Sequence, residues 1–139
     1  MKLSLSLVAA LAVVVAASGL TCAQGAMAMK METLDGTLVD TKCYGMMPEQ
    51  NAGNDHMVDM AGKMTKVPGC AVACATMGIP VGLKQGNRTV VLAAPANQLS
   101  KHMAQEVKVT GMYSRDKATF IVTRVVPKVG EAYDIKTMM

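Results

Sequence analysis

The sequence predicts a mainly β fold: a small five-stranded barrel with one or two short helices, preceded by a signal peptide. Three observations predict it. Short β-branched runs bounded by Gly, Asn, Ser and Pro recur through the second half of the chain. One Ala-rich stretch with a clear stop reads as a helix. An apolar run of secretory pattern opens the chain.

That opening run comes first. Met1-Lys2 supplies a positive start, and Leu3 to Leu20 is apolar except for Ser4, Ser6, Ser18 and Gly19. Small residues follow, so cleavage is expected after Ala23 or Ala28, making residues 1–28 a signal peptide. An uncleaved anchor, or lipidation at Cys22, would instead tie the chain to a membrane. Residues 29–139 then form one domain in the periplasm or outside the cell.

Within that domain, Leu34 to Asp40 reads as a first strand, with Gly36 marking a bulge or a close backbone approach. Gly45 to Gly69 lacks a sustained period and reads as a long loop, with a helical turn within Asp55 to Met64. Cys70 to Met77 is the helix, because Ala fills its interior. Gly78 falls at a left-handed cap and Pro80 forbids continuation. Val81 to Lys84 is a short strand, and Gln85-Gly86-Asn87 turns the chain. Thr89 to Ala93 is the strongest strand. Asn97 is expected to cap a helix reaching Met103. Val107 to Thr110 alternates as a half-buried strand. Ser114 to Lys117 turns, Thr119 to Val126 is another strand, Pro127 ends it, and Ala132 to Ile135 forms a last edge. About five strands with short helical connections point to an OB-like barrel, with a half-open sheet under helices as the alternative.

Composition excludes several jobs. Without Lys2, 13 basic residues face 10 acidic ones, a net charge of +3 with no basic run. The mature aromatics are Tyr44, Tyr113, Phe120 and Tyr133. Neither a phosphate-tracking stripe nor a stacking platform for nucleic acid is present. No Cys-x-x-Cys, no haem motif and no phosphate-binding glycine loop occurs. A Cys/His nucleophile would need an orienting third group that nothing marks. The chain therefore reads as a non-enzymatic protein.

The chemistry concentrates in the cysteines. Cys70 and Cys74 are four apart, so their thiols share one helix face, with Met77 three further on. Cys43 and His56 lie upstream. Three mature cysteines are an odd number for a disulfide framework. Thiolates from Cys43, Cys70 and Cys74, with His56 as fourth ligand and Met77 as a thioether candidate, make a soft set. Such a set suits copper first and zinc second. The loop methionines Met46, Met47, Met57, Met60 and Met64, with Met77, favour copper. The competing reading is a disulfide, Cys43–Cys70 or Cys43–Cys74, worth about 2–4 kcal/mol. Cys70–Cys74 pairing is disfavoured by parallel side chains about 6 Å apart at Cα. Taken alone, His56 reads as a solvated loop residue and His102 as a surface residue. The helix N-terminus beside Cys70 is expected to lower its thiol pKa.

The pattern resembles a group of small secreted bacterial domains of uncharacterised function. The likeness rests on Gly36-Thr37-Leu38-Val39-Asp40-Thr41-Lys42-Cys43, then His56. It continues with Cys70-Ala71-Val72-Ala73-Cys74-Ala75-Thr76-Met77-Gly78-Ile79-Pro80-Val81-Gly82-Leu83 and closes with Val107-Lys108-Val109-Thr110-Gly111. It covers nearly the whole mature chain. One departure is the fourteen-residue gap between His56 and Cys70, where the family places its His close to the pair. The resemblance implies export, an OB-like barrel and a Cys/His cluster, and no established reaction. Together these readings describe an exported metal-binding protein that delivers or sequesters copper, less readily zinc, with a periplasmic or secreted partner protein. The alternative is an interaction domain with a structural disulfide.

Overall fold

The computed structural model describes residues 30–136, and the signal-peptide reading of residues 1–28 lies outside them. The chain runs β1 (Glu32–Asp40), α1 (Cys43–Met46), β2 (His56–Met60), β3 (Lys63–Val67), α2 (Cys70–Thr76), β4 (Val81–Gln85) and β5 (Arg88–Ala93). It continues through α3 (Ala96–Leu99), a 3₁₀ turn (Ser100–His102), β6 (Glu106–Tyr113), β7 (Thr119–Pro127) and β8 (Tyr133–Asp134).

Strand β1 sits between β4 and β6, antiparallel to both, and the sheet order is β5-β4-β1-β6-β7. A parallel pairing of β5 with β7, setting Leu92 opposite Phe120, closes the ring. This is the five-stranded OB-like barrel that strand count predicted. β8 adds to β7 outside the ring, opposite Arg124 and Val125.

Period-two alternation fills the interior. Val107 and Val109 point inward from β6, and Phe120 and Val122 from β7. The inward phase then switches to Val125 and Pro127, because the register slips opposite Thr110 and Gly111. Leu38, Leu83, Leu99, Val109 and Phe120 are fully buried, each contributing about 1.5–3 kcal/mol of apolar burial. Gly36 explains itself here. A Cβ on it would strike the Lys84 carbonyl and the Leu83 side chain, so β1 and β4 could not approach.

Helix α2 plugs the barrel with its alanine face. Ala71 and Ala75 are buried in the core, one turn apart. Small side chains there let the helix axis come close. Gly78, at φ 92°, ends the helix as predicted.

Three expectations change. The segment 45–69 is not a long loop with a helical turn. It holds the end of α1 and the β2–β3 hairpin, whose rungs run from His56↔Val67 to Met60↔Lys63. The Asn97-capped helix to Met103 is instead α3 plus a 3₁₀ turn. Pro95 stands at the cap, and no side chain caps it. His102 is not a surface residue. It is only 8 % exposed, its ring stacks on Tyr133 at 5.5 Å, and its Nδ1 lies 3.2 Å from Gln105 Oε1. Among the described residues no helix is long and apolar enough to cross a membrane.

Candidate metal centre

The two cysteines of α2 lie on the side of the helix next to its alanine face. Cys74 is buried and Cys70 half-buried, with their sulfurs 4.0 Å apart. Cys43 comes from the single turn of α1 and is buried. His56 opens β2 and is fully buried, which corrects its reading as a solvated loop residue. The fold thus gathers all four sequence-predicted residues. Donor atoms of Cys43, His56 and Cys70 lie within 4.8 Å of one another, as do those of Asp40, Cys43 and Cys74. The two sets share Cys43, and together they form a Cys/His/Asp cluster that could hold a metal ion. Met77, at the C-terminal cap of α2, is 74 % exposed while Cys74 is buried.

Asp40 is the residue that sequence reasoning missed. It ends β1 and is fully buried. Its Oδ1 accepts the N–H groups of Lys42 at 3.1 Å and Cys43 at 2.8 Å, which turns the chain into α1. Its Oδ2 lies 3.3 Å from His56 Nδ1. An Asp three residues before a Cys at a strand end is a turn signal, so the sequence carried a hint.

The histidine's tautomer follows from its other nitrogen. His56 Nε2 lies 3.0 Å from the Gly53 carbonyl, which only accepts, so Nε2 carries the proton. Nδ1 and Asp40 Oδ2 are both buried without a hydrogen-bond partner. Buried polar atoms of this kind call for an explanation. An imidazole with one nitrogen tied to a carbonyl is how metal-ligating histidines are commonly oriented. Here Nδ1 faces the Asp40 carboxylate, and a His56 nitrogen lies within 4.8 Å of the Cys43 and Cys70 sulfurs.

The segment just before β2 holds the site together. Asn51 reaches the carbonyl of Cys43. Asn54 accepts the N–H of Ala71 through its main-chain oxygen at 3.0 Å and that of Val72 through Oδ1 at 3.3 Å. Asp55 Oδ1 accepts the N–H of Gly69 at 3.0 Å, and this bond, with Lys66 beside it, holds the Asp55 carboxyl below its ordinary value. The N-terminus of α2 is therefore capped from a distance.

That capping corrects the expectation of an activated Cys70. The amides that would stabilise a thiolate are already spent on Asn54 and Asp55. Burial, followed by repulsion from Cys74, pushes the Cys70 thiol up to about 12. Burial, then the charge of Asp40, raises Cys43 as well. The three cysteines are free thiols. The competing disulfide, from Cys43 to Cys70 or Cys74, is not formed.

Comparison with protein-family models, with curated proteins and with solved structures finds no match.

Proposed function

We propose that the domain binds one thiophilic metal ion, copper(I) ahead of zinc(II), through Cys43, Cys70, Cys74 and Nδ1 of His56. One observation carries this reading: two triples of donors, Cys43–His56–Cys70 and Asp40–Cys43–Cys74, each lie within 4.8 Å and share Cys43, so three separate elements bring soft and borderline donors to one place. Three sulfurs and one imidazole are a tetrahedral zinc set, and their softness favours copper(I). The methionines tip the balance toward copper. Met46, Met60, Met64 and Met77 expose thioethers, and these are soft ligands.

A metal would supply the charge that the buried cluster lacks. It would displace the thiol protons and give Asp40 Oδ2 a cationic neighbour. Burial raises the Cys43 and Cys70 thiols and lowers their thiolate fraction near neutral pH, which supports a carrier rather than a catalyst. With the secretory pattern of residues 1–28, the job we assign is metal binding, delivery or sequestration in the periplasm or outside the cell. The recipient would be a partner protein with a soft-ligand site of its own.

Native mass spectrometry of the purified protein, with and without thiol alkylation, tests the reading. The expected result is a mass increment of one metal ion, and three alkylatable thiols after chelation. A deficit of two protons with one reactive thiol and no metal would replace it with a structural disulfide.

A further inference from the structure

Asn51 is fully buried and belongs to neither donor set. Its carboxamide is used across two elements. Nδ2 donates to the carbonyl of Cys43 at 2.9 Å and to that of Met57 at 3.3 Å. Oδ1 accepts the Met57 N–H at 2.7 Å. Met57 directly follows His56. One side chain therefore joins the turn carrying Cys43 to the strand carrying His56.

Asp40 completes the grip from the other side by accepting the Cys43 N–H. Both polar groups of the Cys43 backbone are thus held by buried side chains. Cys70 and Cys74 are placed differently. They ride on one helix, which Asn54 and Asp55 anchor and to which Asn51 makes no hydrogen bond. The site has two halves: a Cys70–Cys74 pair carried on one helix, and a Cys43–His56 pair whose two members are tied to each other by Asn51 and Asp40.

We infer that Asn51 is a positioning residue that sets the coordination number of the site, by presenting Cys43 and His56 as one unit to the Cys70–Cys74 pair. The inference rests on the metal-binding reading above. Its consequence is selective. A tetrahedral ion needs both halves. Copper(I), which accepts fewer soft ligands, can still be retained by the thiolate pair of α2 when the Cys43–His56 half is lost.

The test compares wild type with Asn51→Ala, using cobalt(II) as the tetrahedral probe and copper(I) as the soft one. Wild type is expected to give the d–d bands of four-coordinate cobalt. In the variant, cobalt(II) affinity should fall about 10- to 100-fold, with weaker d–d bands per bound ion, while copper(I) affinity against a chromophoric chelator changes less than about threefold. Equal losses for both ions would show general loosening and overturn the inference, as would an unchanged cobalt spectrum and affinity. Wild-type protein binding neither ion would overturn the metal reading, and this inference with it. Asn51→Asp keeps the acceptor for Met57 N–H and removes the donor to Cys43. It should show the same split, and it serves if the alanine variant does not fold.

Discussion

The sulfurs of Cys70 and Cys74 stand 4.0 Å apart. A disulfide would need about 2.05 Å. Two sulfurs bound to one ion at about 2.3 Å stand about 3.8 Å apart in a tetrahedron and about 4.0 Å apart in a trigonal plane. The helix therefore holds its thiols at the spacing of a shared ion, without moving its backbone.

Removing one of these sulfurs should remove the ion. Cys70→Ser is expected to abolish stoichiometric metal binding, measured by elemental analysis after gel filtration. Met77→Leu, at an exposed position, should leave the stoichiometry at one. Unchanged metal content in Cys70→Ser would end the metal-site reading.

The raised thiols predict a pH dependence. Burial and the neighbouring Cys74 push the Cys70 thiol from its ordinary 9.0 up to about 12. Iodoacetamide labelling of the metal-free protein should then rise about tenfold per pH unit from pH 7 to 10, with no plateau. The linkage has a definite sign. A thiol whose folded pKa exceeds its unfolded one favours the fold fully below about pH 9, and this support is lost as pH climbs through the folded value. Thermal unfolding followed from pH 8 to 11 should show a falling midpoint. A labelling plateau near pH 8 would contradict the buried, amide-starved environment of Cys70.

Metal should stabilise the fold by mass action. With free copper(I) or zinc(II) at 100 times its Kd, unfolding should cost about 2.7 kcal/mol more than in the chelated protein. Urea titrations with and without chelator would measure this. Identical midpoints would place the ion on the unfolded chain as strongly as on the folded one.

The seam that closes the ring should depend on Phe120. Its ring is fully buried, packs edge-on against Tyr113 at 5.0 Å, and lies opposite Leu92 across the parallel pairing. Phe120→Ala is expected to cost about 3–5 kcal/mol in urea unfolding. A loss below about 1 kcal/mol would mean that the seam does not rely on this side chain.

The parts of the fold legible in sequence were those with strong local signals. Thr89 to Ala93 and Thr119 to Val126 are β-branched runs, and the cysteine helix had Ala inside and Gly78 after it. The β2–β3 hairpin was not legible, because its turn is Ala61-Gly62 rather than Asn-Gly. Ala61 takes φ 55° and Gly62 φ 84°, helped by Asp59 Oδ1 accepting the Gly62 N–H at 2.7 Å. Its strands carry Met, Lys and Asp at exposed positions, so no apolar stripe announced them. The membership of Cys43, Cys70 and Cys74 in one cluster was legible from residue type. The burial of His56 was not, since no local pattern marks it and the carboxylate it faces, Asp40, lies sixteen residues earlier in the chain.

Asp40 and Val81 face each other as the last rung between β1 and β4, and the next link, Thr41 N–H to the Pro80 carbonyl at 3.1 Å, extends the pairing. The candidate metal ligands Cys43, His56, Cys70 and Cys74 all lie on the stretch that leaves the barrel at Asp40 and rejoins it at that rung. The excursion is topologically a single hairpin loop grown to hold α1, β2, β3 and α2. The pairings that close the ring run through β5, β6 and β7, which contribute no donor. Natural variation can therefore exchange ligands, lengthen the approach to His56 or retune the metal within the excursion while the barrel's register stays fixed. Ala71 and Ala75, which face the core from inside the excursion, and Val72, which packs against it, answer to both demands.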